Sequence, residues 1–94
     1  MDIAKSMIVQ SAAGRDKGRL FFVLETEGDF LLLADGKTRK VENPKRKKRK
    51  HAVFAMDSDT RVAEKIRSGE KITNSEVRRT LAQLSGDGNP DQEG

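Results

Sequence analysis

Seven consecutive side chains, Lys45-Arg46-Lys47-Lys48-Arg49-Lys50-His51, are cationic or titratable. The chemistry open to such a run is electrostatic: it can neutralise a row of phosphates and release their counterions. From Lys37 to His51 nine Lys or Arg face one acid, Glu42, so fifteen residues carry +8. The flanks 1–36 and 52–94 each come to −2, and the net +4 of the chain therefore belongs to one stretch. A concentrated positive patch on an otherwise slightly acidic chain points to a polyanionic partner. On a strand Lys45, Lys47, Arg49 and His51 would point one way and Arg46, Lys48 and Lys50 the other. With charge on both sides, the segment is expected on the surface, stretched by self-repulsion, and not as a half-buried strand over its whole length. A solvated tract that merely aids solubility is the bland alternative, but seven such side chains exceed what solubility needs. A membrane surface fits less well because no apolar face is interleaved. A nuclear-import signal also fits the letters, and a lysine run cannot read a 2′-hydroxyl, so DNA fits it as well as RNA.

The second constellation is the loop Ala13-Gly14-Arg15-Asp16-Lys17-Gly18-Arg19. It joins two strand-like segments, whereas a P-loop or dinucleotide fingerprint needs a helix N-terminus for the phosphate. Gly14 and Gly18 bracket a tight loop that could present Arg15, Lys17 and Arg19 to phosphates; an ordinary solvated turn explains the letters equally well. Lys37, Arg39 and Lys40 extend the cationic set. Catalysis has little to stand on. His51 is the only imidazole, and it serves better as an RNA-facing or packing residue than as a general base. No cysteine provides a nucleophile or thiolate ligand, and Glu25, Glu27, Asp29 and Asp35 are explained by turns. No catalytic residue, metal or cofactor is expected. Phe21, Phe22, Phe30 and Phe54 are the only aromatics; most are expected in the core, which favours gripping the backbone over reading bases.

These residues need a scaffold, and 94 residues with 36% charged and 34% hydrophobic side chains allow one small domain. Such a chain buries ~60–65% of its unfolded surface, which leaves no deep interdomain cleft. No apolar run approaches the ~20 residues of a membrane span, and no signal-peptide core is seen, so a soluble, cytoplasmic protein is expected. Met7–Val9, Leu20–Leu24 and Phe30–Ala34 read as strands, rich in branched and aromatic residues. Asp35-Gly36 predicts a type I′ hairpin into a strand over Lys37–Val41, ended or edged by Pro44. Residues 48–54 are expected to supply a fifth strand. Asp57-Ser58-Asp59 offers N-caps for a helix with Val62 and Ile66, stopped at Ser68-Gly69. Thr73-Asn74-Ser75-Glu76 matches a capping box before the stripe Val77, Leu81, Leu84, with Gly86 as a stop. Residues 1–56 thus form a β domain and 57–86 a two-helix extension, and 87–94 are expected to be a disordered tail.

Val9 to Leu24, reading V-Q-S-A-A-G-R-D-K-G-R-L-F-F-V-L, resembles a KOW motif: a hydrophobic strand, a Gly/basic loop ending in a fixed glycine, matched by Gly18, and a second strand. Phe30 to Gly36, Arg39-Lys40 and Lys50-His51 look like the archaeal and eukaryotic large-subunit ribosomal protein family fourteen-e, and small bacterial KOW-domain proteins of that kind are the most similar. The resemblance covers roughly residues 5–54. It implies a mainly β fold, an SH3-like five-stranded barrel over residues ~3–55, followed by the two short helices. It also implies binding to RNA, usually ribosomal, through loops and a basic edge. Arg15, Lys17 and Arg19 match the binding loop, and Arg39, Lys40 and Lys45–Lys50 the basic stretch. Ser6 stands where many members have glycine, Ala-Val-Phe follows His51 where leucine is expected, and the helices lack a clear counterpart. A ribosomal component and a ribosome-associated factor both stay open. The alternative from another class is a protein–protein adaptor of the transcription or translation machinery, using the barrel or the Val77/Leu81/Leu84 stripe.

Overall fold

The computed structural model describes residues 2–85. Five strands, β1 (Ile8–Ser11), β2 (Leu20–Glu27), β3 (Phe30–Ala34), β4 (Lys45–Lys48) and β5 (Ala52–Met56), precede helices α1 (Arg61–Ser68) and α2 (Asn74–Ser85). The strands form one antiparallel sheet in the order β4-β3-β2-β1-β5. The protein is mainly β with C-terminal α. Alternation along the strands sorts the apolar side chains onto two faces. Ile8 and Phe22, opposite each other in register, lie on the face covered by α1 and α2 with Val62, Ala63, Ile66, Val77 and Leu81. Val9, Phe21, Val23, Leu31 and Leu33 make a second buried cluster on the other face. A bulge between Val23 and Glu25 bends β2, so one eight-residue strand pairs with both β1 and β3.

The sheet curls over its second face. In a flat sheet β4 and β1, three places apart, would lie about 14 Å from each other. Yet the Lys47 ammonium on β4 reaches the Ser11 hydroxyl on β1 at 2.5 Å. The two sheet edges, β4 and β5, are also joined by a single 3₁₀ turn, Arg49–His51.

Several boundaries differ from expectation; the strand expected over 48–54 is a 3₁₀ turn, Arg49–His51, followed by β5 at Ala52–Met56, because Lys45–Lys48 pair with β3 instead. Phe30–Ala34 is a strand as predicted, but Asp35-Gly36 does not start a hairpin and Lys37–Val41 is not a strand. Type I′ turns need positive φ at both central residues, and only Gly36 has it (φ 77°). The Asp35 carboxylate instead collects the amides of Lys37 (2.9 Å) and Arg39 (2.8 Å) and the Thr38 hydroxyl (2.8 Å), closing a compact loop. That loop packs on the start of α2: the Val41 amide donates to Asn74 Oδ1 (2.8 Å) and the Arg78 guanidinium to the Gly36 carbonyl (2.8 Å). Gly36 is required here, since a Cβ would meet the Asn74 carbonyl oxygen inside contact distance and the Arg78 nitrogen at 3.0 Å. Pro44 comes before β4 and ends no strand.

The N-cap of α1 is Thr60, one residue past the predicted Asp57-Ser58-Asp59; its hydroxyl accepts from the Ala63 amide, and Gly69 ends the helix in the left-handed region. The capping box of α2 forms as read: the Thr73 hydroxyl accepts from the Glu76 amide (3.1 Å) and the Glu76 carboxylate from the Thr73 amide (3.0 Å). Val77 and Leu81 are buried and Leu84 packs beside them, so this stripe is covered by the chain's own sheet. Gly86 and the expected tail 87–94 lie outside the described residues. Among those described, no helix is long and apolar enough to cross a membrane.

Candidate nucleic-acid interface

The basic run is divided by the pleat of β4. Lys45 and Lys47 pair with Leu33 and Leu31 and point to the inner face; Arg46 and Lys48 point out. Lys47 is only 7% exposed, which corrects the expectation that the run lies free on the surface. A lysine is tolerated there because its ammonium finds oxygen: the Ser11 hydroxyl, and the Ala13 carbonyl at 3.1 Å. Burial, then the Lys45 charge, lowers the Lys47 pKa, and the Asp16 carboxylate opposes that shift. Lys45 is paired with Asp16, and its hydrogen bond holds the Asp16 carboxyl below the ordinary carboxylate range. Lys45 and Lys47 are therefore clamps on the 11–16 segment, Lys47 with its ammonium buried and Lys45 with its ammonium partly exposed in an ion pair.

What they clamp is the glycine-bracketed loop. Gly14 and Gly18 have φ of 80° and 86°, a conformation that disfavours any side chain although the space beside both is open. The Gly18 amide donates to the Ser11 carbonyl (2.8 Å), the Lys17 amide to Gly14 (3.2 Å) and the Arg19 amide to Asp16 (2.8 Å). This winding turns Asp16 towards β4 and leaves Arg15 and Lys17 in solvent. Arg19 is also exposed, 3.8 Å from the Asp35 carboxylate. The Asp35 loop carries exposed Lys37 and Lys40 and half-buried Arg39. The Gly14–Gly18 loop is thus tied to β4 by the Asp16–Lys45 pair and lies beside the Asp35 loop through Arg19.

Past Lys48 the alternation stops, because Arg49–His51 is a 3₁₀ turn. Arg49 turns inward and donates to the carbonyls of Gly28 (2.7 Å) and Ile3 (2.8 Å), a framework role the letters did not reveal. Lys48, Lys50 and His51 stay exposed. Arg46 lies over the Phe30 ring, 3.8 Å from its centroid, and 3.4 Å from Glu27. Arg15, Lys17, Lys37, Lys40, Lys48 and Lys50 are exposed and have no ion pair among the described residues. Sequence reasoning missed Arg78, which lines an open groove of about 630 Å³ with Arg19, Asp35 and Lys37. Its position depends on how α2 docks, which no local signal encodes.

Among the described residues no group of three or more His, Cys, Asp or Glu is placed to hold a metal ion. No protein-family model matches the chain, and no curated protein matches it.

Proposed function

We propose that the chain is a non-catalytic RNA-binding protein of the KOW type, ribosomal or ribosome-associated, which grips structured RNA by its phosphates. The observation that carries this reading is the set of six unpaired exposed cations, Arg15, Lys17, Lys37, Lys40, Lys48 and Lys50, on connected loops and one sheet edge. They belong to, or flank, the one stretch of the chain with a large excess of positive charge, Lys37–His51 and the Gly14–Gly18 loop that β4 clamps. An SH3-like closed barrel is supported by the rolled sheet and by the three-residue turn that joins its two edges. The family resemblance is supported by Ser6, the one non-glycine residue in the left-handed region among those described (φ 74°). It occupies the position where many family members carry glycine, the residue that conformation favours. Ser6 is retained with two supports: its amide donates to the Val23 carbonyl (2.8 Å) and its hydroxyl accepts from Arg67 (2.9 Å).

Sedimentation of the protein with ribosomal subunits tests the reading. Co-sedimentation at low salt, release at high salt and release by nuclease are the expected results. Association that survives nuclease treatment would favour the adaptor alternative and overturn this one.

A further inference from the structure

We infer that the turn after β4 holds a subsite for two unpaired nucleotides, one of which presents a guanine to Asp29; this deepens the RNA-binding reading and rests on it. Two recesses of about 450 Å³ each lie on either side of the 3₁₀ turn, within the roughly 300–1,000 Å³ of small-ligand sites. The first is lined by Asp29, Phe30, Lys48, Arg49 and Lys50. The second shares Arg49 and Lys50 and adds Phe54 and Asp2. Each recess therefore combines an aromatic ring, a carboxylate and cations.

Of the four phenylalanines, Phe21 and Phe22 are fully buried, and Phe30 and Phe54 are only half-buried. The two rings that can meet a base are thus the two that line these recesses; Arg46 already covers one face of Phe30, which leaves its other face and edge for a base. Unstacked bases are held by stacking on aromatic side chains and by hydrogen bonds to their edges. Arg49 is committed to the Gly28 and Ile3 carbonyls and holds the walls. Lys50, exposed and common to both recesses, is placed to take the phosphate between two splayed nucleosides.

Asp29 supplies selectivity. Its carbonyl accepts from the Arg49 amide (2.8 Å), but its carboxylate has no hydrogen-bond or ion-pair partner among the described residues. A carboxylate is acceptor-only with two oxygens. Guanine offers it two parallel donors, the ring N–H and the exocyclic amino group. Cytosine and adenine offer one amino group, and uracil places carbonyl oxygens beside its single N–H.

The test uses the full chain and fluorescein-labelled hexamers, oligo-U and oligo-U with one guanine, adenine or cytosine, read by fluorescence anisotropy at low salt. The guanine hexamer should bind about tenfold more tightly than oligo-U, the scale of one bidentate base contact. Asp29→Asn should reduce that preference below about twofold with oligo-U affinity retained. Phe30→Leu should weaken every hexamer several-fold. Absence of a base preference, or a preference untouched by Asp29→Asn, overturns the inference. So does free GMP binding as tightly as the hexamer, which would assign the recess to a mononucleotide. Salt-dependent binding to ribosomal RNA without any base preference defeats this subsite alone, whereas failure to bind any RNA defeats the parent reading.

Discussion

Lys47 and Lys48 are neighbours of identical chemistry, and the pleat of β4 assigns them opposite roles that alanine substitution separates. Lys47 is 7% exposed and its stem lies on the inner face beside Leu31. Lys47→Ala removes three buried methylenes at ~0.8 kcal/mol each, a loss of about 2.4 kcal/mol. The lost ammonium bonds are offset by relief of its desolvation, and Ser11 still donates to the Ala13 carbonyl at 3.1 Å, so no acceptor is orphaned. For a domain of this size each 1 kcal/mol moves Tm by about 4–8 °C, so Lys47→Ala should melt roughly 10–20 °C lower. Lys47→Met keeps the stem and should stay within about 1 kcal/mol of the parent protein. Lys48→Ala removes an exposed charge and should change stability by no more than about 0.5 kcal/mol. In RNA binding the order reverses: Lys48→Ala should flatten the slope of log K against log salt by about 0.7–0.9, and Lys47→Met should leave it unchanged. Thermal melts by circular dichroism and anisotropy titrations over a salt series give both readouts. If Lys47→Met flattens the slope as Lys48→Ala does, Lys47 contacts phosphate and the division of the strand is refuted.

Two further outcomes follow from the loop that Asp35 organises. Gly36→Ala should cost about 1–2 kcal/mol for the left-handed backbone and a further ~1–3 kcal/mol to push α2 away, whereas Gly14→Ala should cost only the first; equal urea midpoints would contradict this. Burial pushes the Asp35 carboxyl up, but the amides of Arg39 and Lys37 and the Thr38 hydroxyl outweigh it and hold the pKa below the ordinary 3.8. The stability Asp35 contributes is therefore full above that ordinary value and lost as pH falls through the lower folded value. Asp35→Asn should cost about 1.5–3 kcal/mol at pH 7, and the gap to the parent protein should narrow below about pH 4; a gap constant from pH 7 to pH 2 in urea melts would contradict it.

Much of the scaffold was legible because its signals are local. Phe30–Ala34 is bounded by turn residues and emerges with those limits, and the Thr73/Glu76 box needs only its own four residues. The strand β4 was not legible, since a lysine at an inward position reads as solvated until a distant Ser11 and Ala13 carbonyl are folded beneath it. Asp35-Gly36 carries the letters of a hairpin, and only the choice of its carboxylate for Lys37 and Arg39 makes it a capped loop. The cationic set was found by counting charge. Counting could not separate the clamps Lys45, Lys47 and Arg49 from exposed Lys48 and Lys50, because that distinction is set by tertiary oxygen partners.

The salt dependence of binding to a structured ribosomal RNA fragment tests the central claim most directly. Six phosphate-neutralising cations predict that log K falls against log salt with a slope of roughly −4 to −5. An affinity indifferent to salt, or no binding at 50 mM salt, would contradict the account.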